Sequence, residues 1–215
     1  MKGETMFSTT LANITLTAKN KLNRLKKAPL SYFILSMFGG IFIGFAILLT
    51  FTIGGLYAKE GSALGPIPMA LAFGMGMSLV LFVGSELFTG NVMIMSIARA
   101  RKEVSTKDLL SLWVVCYLGN MVGSMLLGFI FYHSGLTQGS TGEFFIKAAT
   151  MKMTTPGMEL IMRGILCNIL VCCAVWTFYR MDTEVGKLIM VFWPIFGFIT
   201  PTYEHSVANM TVHTV

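Results

Sequence analysis

The chain alternates between long uncharged stretches and short clusters of charged residues. Its sixteen basic and ten acidic residues leave uncharged runs at 28–58, 61–85, 109–142, 164–179 and 188–203. A helix needs roughly 20 apolar residues to cross the hydrocarbon core of a bilayer. Three runs are long enough and two are short, so the pattern predicts an all-helical protein that crosses a membrane several times.

The hydrophobic pattern predicts five membrane spans and one surface helix. The spans cover about 29–57, 66–98, 109–132, 158–179 and 188–215, and the connection from His133 to Gly157 is predicted to be a loop. Residues 8–27 place apolar side chains at helical spacing between lysines and asparagines, which predicts an amphipathic helix. We therefore divide the chain into an N-terminal cytoplasmic segment, 1–28, and a transmembrane channel domain, 29–215.

Composition and charge placement support this prediction. Only 12% of the residues are charged, about half the usual share for a soluble domain, so a soluble fold is excluded. Six of the sixteen basic residues precede the first run, and four more lie at 99–107, between the second and third runs. This distribution places the N-terminus in the cytoplasm by the positive-inside rule. The charges flank spans instead of forming a stripe with stacking aromatics, which excludes nucleic acid as a partner.

The four cysteines give no sign of a metal or redox centre. All of them lie inside apolar runs, without CxxC spacing, so neither zinc ligation nor a disulfide framework is indicated. We expect buried, inert thiols and no metal or other cofactor.

Two of the spans are interrupted by polar residues. The second span contains GSELFTGN at 84–91, and the fifth contains EHSVAN at 204–209; the two share the spacing Glu-x4-Asn. Such residues at membrane depth are tolerated only where protein or water surrounds them. Breaks at corresponding positions of two halves point to an inverted repeat, with the functional site where the breaks meet. The predicted fold is an aquaporin-like inverted repeat of three-span units with broken second and fifth helices, and its last span is missing from this sequence.

The interruptions also carry the candidate chemistry. Thr89 and His205, one on each break, can donate hydrogen bonds, and an intramembrane ionisable residue is a functional candidate by default. Glu86 and Glu204 are expected to stabilise the backbone that the breaks leave unpaired. A neutral solute, an anion or a cation could pass such a pore, but a cation pathway would show acidic rings at its mouths. The predicted outer loop instead carries lysines such as Lys152.

Three motifs together resemble one known family. The segments 84–91, 167–172 (CNILVC) and 204–210 (EHSVANM) resemble the formate/nitrite transporter family, and the resemblance extends over about 29–210. It implies a bacterial inner-membrane homopentamer of aquaporin-like fold, with one pore in each protomer. The segments 152–156 and 166–168 look closer to the nitrite branch of the family.

The resemblance also implies roles for individual residues. Lys152 looks like a vestibule lysine that attracts anions, while Thr89 and His205 look like the donors at the centre of the pore. Asn91, Asn168 and Asn209 look like the asparagines that flank the loops. The implied constrictions are Leu87, Phe88 and Val171 on the periplasmic side, and Phe73, Met77 and Phe198 on the cytoplasmic side.

The function that follows is transport and not catalysis. We expect a passive or proton-coupled channel for small monovalent anions, nitrite first and formate or hydrosulfide next, with His205 as the candidate proton site. The ion would cross Leu87 after Lys152 and leave past Phe198. An aquaporin-type channel for neutral solutes would need paired Asn-Pro-Ala-like motifs, which the sequence lacks. A membrane subunit of a redox complex would need two facing histidines as haem ligands, and a purely structural membrane protein stays open.

Overall fold

The computed structural model describes residues 7–215, and this part of the chain consists of helices and their connections, without a strand. The α-helices are α1 (Ser8–Lys27), α2 (Pro29–Lys59), α3 (Pro66–Ser78), α4 (Phe88–Ala100), α5 (Thr106–His133), α6 (Ser140–Thr154), α7 (Gly157–Arg180), α8 (Glu184–Ile199) and α9 (Ser206–Val212). A π-helical segment, Leu79–Gly84, continues α3. The all-helical fold class is thus confirmed. Lys2, counted above among the N-terminal basic residues, lies outside the described residues.

Four helical stretches within the described residues are long and apolar enough to cross a membrane, by length and composition. They are Pro29–Lys59, Pro66–Gly84, Thr106–His133 and Gly157–Arg180. Each begins within three residues of a predicted span. The fifth predicted span is divided between α8 and the short α9, so neither helix alone reaches the length of a bilayer.

The bundle has two ends, which we name after the helices that cover them. At the α1 side, α1 packs on α4 and α2, and its Lys26 pairs with Asp108 near the start of α5 at 2.7 Å. At the α6 side, α6 lies against the end of α2, where Gly55 approaches the backbone of Ser140. The spans connect these two ends, so a path through the bundle runs from one covering helix to the other.

The centre of the bundle depends on close approach of α2 and α5. A Cβ atom added to Gly40 would lie 2.0 Å from the backbone oxygen of Asn120, and one added to Gly123 would lie 1.9 Å from that of Met37. Glycine is therefore required at both positions, because any side chain would separate the helices.

The polar motifs coincide with places where the helices stop. At the end of the π-helical segment Gly84 adopts φ +90°. Ser85 and Leu87 are extended, and α4 starts at Phe88. After α8 ends at Ile199, the chain passes through extended His205 before α9 starts. Both stretches turn backbone and side-chain polar groups toward the interior.

The connection between α5 and α7 differs from the predicted loop. It contains the fifteen-residue helix α6, which buries Phe145 and Ala148 in the core shared with α2. Phe145 packs against Phe51 of α2 with ring centroids 4.7 Å apart. The loop prediction was wrong because burial of this apolar face, and not the weak helical pattern of the segment, stabilises the helix.

Candidate functional site

The two helix interruptions meet at one hydrogen bond. The hydroxyl Oγ1 of Thr89, in the first turn of α4, lies 3.1 Å from Nε2 of His205, the residue that precedes α9. Both residues are almost fully buried, at 5% and 4% exposure. The sequence placed these residues on separate breaks, and the structure brings them into direct contact.

The backbone of α9 determines which ring nitrogen of His205 carries the proton. Nδ1 accepts the N–H of Ala208 at 3.1 Å, so in a neutral imidazole the hydrogen must be on Nε2. Nε2–H then donates to Thr89 Oγ1, and the Thr89 O–H remains free to donate elsewhere. A second proton on Nδ1 would point at the Ala208 N–H, which disfavours a charged ring. His205 is therefore held as a neutral donor.

Aromatic rings cover this pair. The ring of Phe198 stacks on the imidazole with centroids 5.9 Å apart and an interplanar angle of 14°. Phe73 meets Phe198 edge-on at 5.7 Å, and both side chains are 1% exposed. The pair of donors is thus enclosed in an apolar setting, where a hydrogen bond to an ion is stronger than in water.

A buried ion pair stands beside the second interruption. The Nζ of Lys152, on α6, lies 2.6 Å from Oε2 of Glu204, and Nδ2 of Asn209 donates to the same oxygen at 2.8 Å. The carboxylate therefore bonds to side chains and not, as expected, to backbone freed by the break.

The first interruption carries a matching arrangement. Nζ of Lys21, on α1, lies 2.6 Å from Oε2 of Glu86, and Nδ2 of Asn91 donates to that oxygen at 2.9 Å. The hydroxyl of Tyr32 adds a third contact at 3.2 Å. Burial is the largest single influence and lowers the pKa of Lys21, but the charge and hydrogen bond of Glu86, together with Tyr179 and Cys116, outweigh it, so the pKa is raised. The sequence did not indicate that Lys21 belongs to this site, because Lys21 lies among other basic residues of an amphipathic helix.

Asn120 of α5 was also missed, and it braces the first interruption. Its Oδ1 accepts the N–H of Phe88 at 2.9 Å, and its Nδ2 donates to the carbonyls of Ser36 at 2.6 Å and Glu86 at 2.8 Å. One side chain thereby satisfies backbone groups at the start of α4 and beside the ion pair.

Asn168 of α7 faces the Thr89–His205 pair across a cavity of about 210 Å³. Its Oδ1 is buried without a hydrogen-bond partner among the described residues, and its Nδ2 lies 3.7 Å from the sulfur of Cys172. Asn168 is therefore available to a guest in this cavity.

The comparisons with known proteins agree with this architecture. The sequence profile described as "Formate/nitrite transporter" matches residues 8–215. The chain belongs to the formate/nitrite transporter family. It is 31% identical over 208 residues to the nitrite transporter NirC of Escherichia coli (strain K12), a match that covers 96% of this chain and 76% of NirC.

Solved structures of the family are similar as well. A structure described as an "FNT family ion channel" superposes with a TM-score of 0.90 at 30% identity, covering 95% of this chain and 81% of that one. A "pentameric formate channel with formate bound" superposes with a TM-score of 0.78 at 29% identity, covering 86% and 74%. The chain is therefore an integral membrane protein of a transporter family.

The structure groups the expected constriction residues differently from the grouping that the sequence predicted. Leu87 and Met77 line one cavity of about 290 Å³, which α1 also lines, with Lys21 among the lining residues. Phe73 and Phe198 lie instead at His205. The expected order, with Leu87 next to the Lys152 side, was wrong, because the covering helix beside Leu87 is α1. Two further members of the set stay consistent with a pore wall: Val171 is fully buried and Phe88 is half-buried.

A third cavity, of about 120 Å³, lies at the α6 side. It is lined by Lys152, Glu204 and His205, together with apolar residues of α2 and α6. The Thr89–His205 pair therefore has one cavity toward α6 and another, beyond Leu87, toward α1.

Proposed function

We propose that this protein is a channel for small monovalent anions, nitrite first and formate or hydrosulfide next. The observation that carries the proposal is the Thr89–His205 contact, two donors that join the helix interruptions inside an apolar enclosure. Membership of a family of formate and nitrite transporters supports it. An anion loses hydration on entering an apolar passage at a high cost, and the Thr89 hydroxyl, oriented by His205, replaces part of that hydration.

The two ion-paired triads support an inverted repeat. Lys21, Glu86 and Asn91 meet at the first interruption, and Lys152, Glu204 and Asn209 meet at the second. In each triad the lysine comes from a helix that precedes a three-span unit and covers one end of the bundle. We infer that the units are related by a pseudo-two-fold axis, with broken second and fifth helices, and that the pore lies within one protomer.

His205 acts in this proposal as a fixed donor and not as the proton carrier of a coupled transporter. Its Nδ1 is occupied by the Ala208 N–H, so Nε2–H orients Thr89, and the free Thr89 O–H donates to the passing ion. Because the ring does not change its charge, an ion does not become trapped at an imidazolium. Conduction needs sites that bind weakly enough to release.

The assembly and orientation follow the same reasoning. We propose a homopentamer, as in the similar formate channel, in a bacterial inner membrane with α1 on the cytoplasmic face. The basic residues of α1 and of 99–107 favour this orientation. Exposed apolar side chains on α5, such as Leu110, Val114 and Val122, provide surface for neighbouring protomers or lipid.

The test is anion flux into proteoliposomes made with the purified protein. We expect saturable uptake of nitrite and of formate, and loss of uptake in His205→Phe, which keeps an aromatic ring but removes both ring nitrogens. Lys107→Gln, a change at an exposed residue at the start of α5, serves as the control and should conduct normally. Equal uptake by empty vesicles and by wild-type vesicles, or unchanged flux in His205→Phe, would contradict the proposal. Uptake of glycerol or urea without anion flux would favour the neutral-solute alternative.

A further inference from the structure

The cavities on the two sides of the Thr89–His205 pair differ in net charge. At the α6 side, Lys152 and Glu204 are the charged residues of the lining, and they form an ion pair. At the α1 side, Lys21 and Glu86 pair in the same way, but Arg24 lines the cavity as well. Among residues 7–215 no acidic group pairs with the Arg24 guanidinium. The α6 cavity is therefore neutral overall, while the α1 cavity carries one excess positive charge.

The position of Arg24 follows from the register of α1. Thr17, Asn20, Lys21 and Arg24 all line the cavity, and their spacing puts them on one face of the helix. Lys21 lies deep against Glu86, with its side chain 15% exposed, whereas Arg24 is exposed near the end of the helix. An ion that comes from the α1 side thus meets Arg24 before it meets Lys21.

The first interruption contributes a hydroxyl without a partner. Ser85 lines the same cavity, and its Oγ is buried with no hydrogen-bond partner among the described residues. It lies directly after Gly84, whose φ of +90° turns the chain out of the π-helical segment. Unsatisfied buried hydroxyls are uncommon in folded proteins, and a guest in the cavity would give this one an acceptor.

We propose that the α1 cavity is a capture subsite for a small planar monoanion with two oxygen atoms, bound first by Arg24 at the exposed end of the cavity and, farther in, by Ser85. This rests on the proposed function and adds to it the place where the anion is first bound. The guanidinium presents paired N–H donors that match two oxygens of one ligand. Lys21 and Lys152 are each neutralised by a glutamate at 2.6 Å, so Arg24, and not the vestibule lysine expected from the sequence, supplies the net attraction.

The experiment measures initial flux of nitrite and formate into proteoliposomes as a function of anion concentration. Arg24→Gln should raise the half-saturating concentration by about fivefold, the factor for one ion contact in largely aqueous surroundings, while the maximal flux stays near that of the wild type. The half-saturating concentration of Arg24→Lys should lie between those of the wild type and Arg24→Gln. The matched control is Lys27→Gln, which removes a charge from the same turn of α1 outside the cavity lining and should leave the half-saturating concentration unchanged.

A binding measurement separates this inference from the proposed function. Broadening of the ¹³C-formate NMR signal by the detergent-solubilised protein should weaken in Arg24→Gln and in Ser85→Ala but not in Lys27→Gln. If the wild type conducts neither anion and Arg24→Gln still abolishes broadening, the channel proposal fails and the subsite stands. The subsite proposal is wrong if Arg24→Gln matches the wild type in both measurements. It is also wrong if Lys27→Gln changes the half-saturating concentration or the broadening as much as Arg24→Gln does. A wild type that neither conducts nor broadens the signal overturns both.

Discussion

The ammonium of Lys152 lies 2.6 Å from the carboxylate of Glu204, and both side chains are largely removed from water, at 15% and 8% exposure. The lysine that the sequence suggests as an anion attractor is therefore already neutralised. A buried pair of this kind adds little net field at a distance, but removal of either partner leaves one charge without compensation.

Breaking this pair should destabilise the protein, and removing both charges should not. We expect Lys152→Met or Glu204→Gln to cost about 3–5 kcal/mol in the free energy of unfolding, because each leaves a buried charge without its counter-charge. The double variant, Lys152→Met with Glu204→Gln, should recover most of the lost stability. Thermal unfolding of the three variants in detergent measures these differences.

The pair Glu159–Arg163 on α7 provides the control for that measurement. It is an exposed i,i+4 contact, with side chains 55% and 35% exposed, and such pairs contribute about 0.3–0.5 kcal/mol. Arg163→Met should therefore unfold at nearly the wild-type temperature. Equal stability of Lys152→Met and Arg163→Met would show that the buried pair is not a stabilising contact.

For anion flux, the hydroxyl group of Thr89 should matter more than the size of its side chain. Thr89→Val keeps the shape but removes both the acceptor for His205 Nε2–H and the donor to the ion. We expect maximal anion flux to fall at least about tenfold, since a hydrogen bond to a charged group contributes about 1.5–3 kcal/mol. Thr89→Ser, which keeps the hydroxyl, should retain most of the flux.

A second threonine tests whether any helix hydroxyl would behave in this way. Thr52 of α2 bonds to the carbonyl of Leu48 at 2.8 Å within its own helix, away from both interruptions. Thr52→Val should conduct like the wild type. The assignment of Thr89 to the pore is wrong if the two valine variants conduct equally.

The sequence predicts the helices and singles out Thr89 and His205 because these features are local. Charges interrupt apolar runs at identifiable residues, and a polar motif inside an apolar run is visible without knowledge of the fold. The structure confirms the all-helical class and places Thr89 against His205, although 116 residues separate them. Their role in transport stays a prediction.

The remaining features depend on packing that no local pattern records. Lys21 resembles its basic neighbours until α1 docks on α4 and brings it to Glu86, 65 residues away. Asn120 lies within a regular span, and its partners come from α2 and from the first interruption. The order of the predicted constriction residues along the bundle depends on which covering helix lies beside Leu87, and this too follows only from tertiary contacts.

The contact of α2 and α5 should not accept a single methyl group. An alanine at Gly123 would place its Cβ 1.9 Å from the Met37 carbonyl oxygen, and the helices can relieve this overlap only by separating. We expect Gly123→Ala to destabilise the fold by at least about 1–3 kcal/mol, the usual cost of overpacking. Thermal unfolding and the yield of monodisperse protein in detergent measure the effect.

The matched change is Gly164→Ala in α7. The nearest atom to its added Cβ is the Glu204 carbonyl oxygen at 3.9 Å, which is ordinary contact, and alanine favours a helix over glycine by about 1 kcal/mol. This variant should be as stable as the wild type or more so. If Gly123→Ala is equally well tolerated, α2 and α5 do not pack as closely as the structure has them.

Lys21 should hold α1 against the bundle over a wide pH range. Glu86 raises the pKa of Lys21 despite the opposing effect of burial, so the ammonium persists at neutral and mildly alkaline pH. Because the pKa in the folded protein is raised, the stabilisation is fully present below the ordinary lysine pKa and is lost as the pH rises through the raised value. Lys21→Met should lower the amide protection of α1 at least about tenfold, since breaking a buried pair costs several kcal/mol. Hydrogen exchange of α1 peptides, corrected for the intrinsic rate at each pH, measures this protection.

Lys27→Met makes the same change at an exposed residue of the same helix and should leave the protection of α1 intact. Equal exchange in the two variants would show that α1 docks without the Lys21–Glu86 pair.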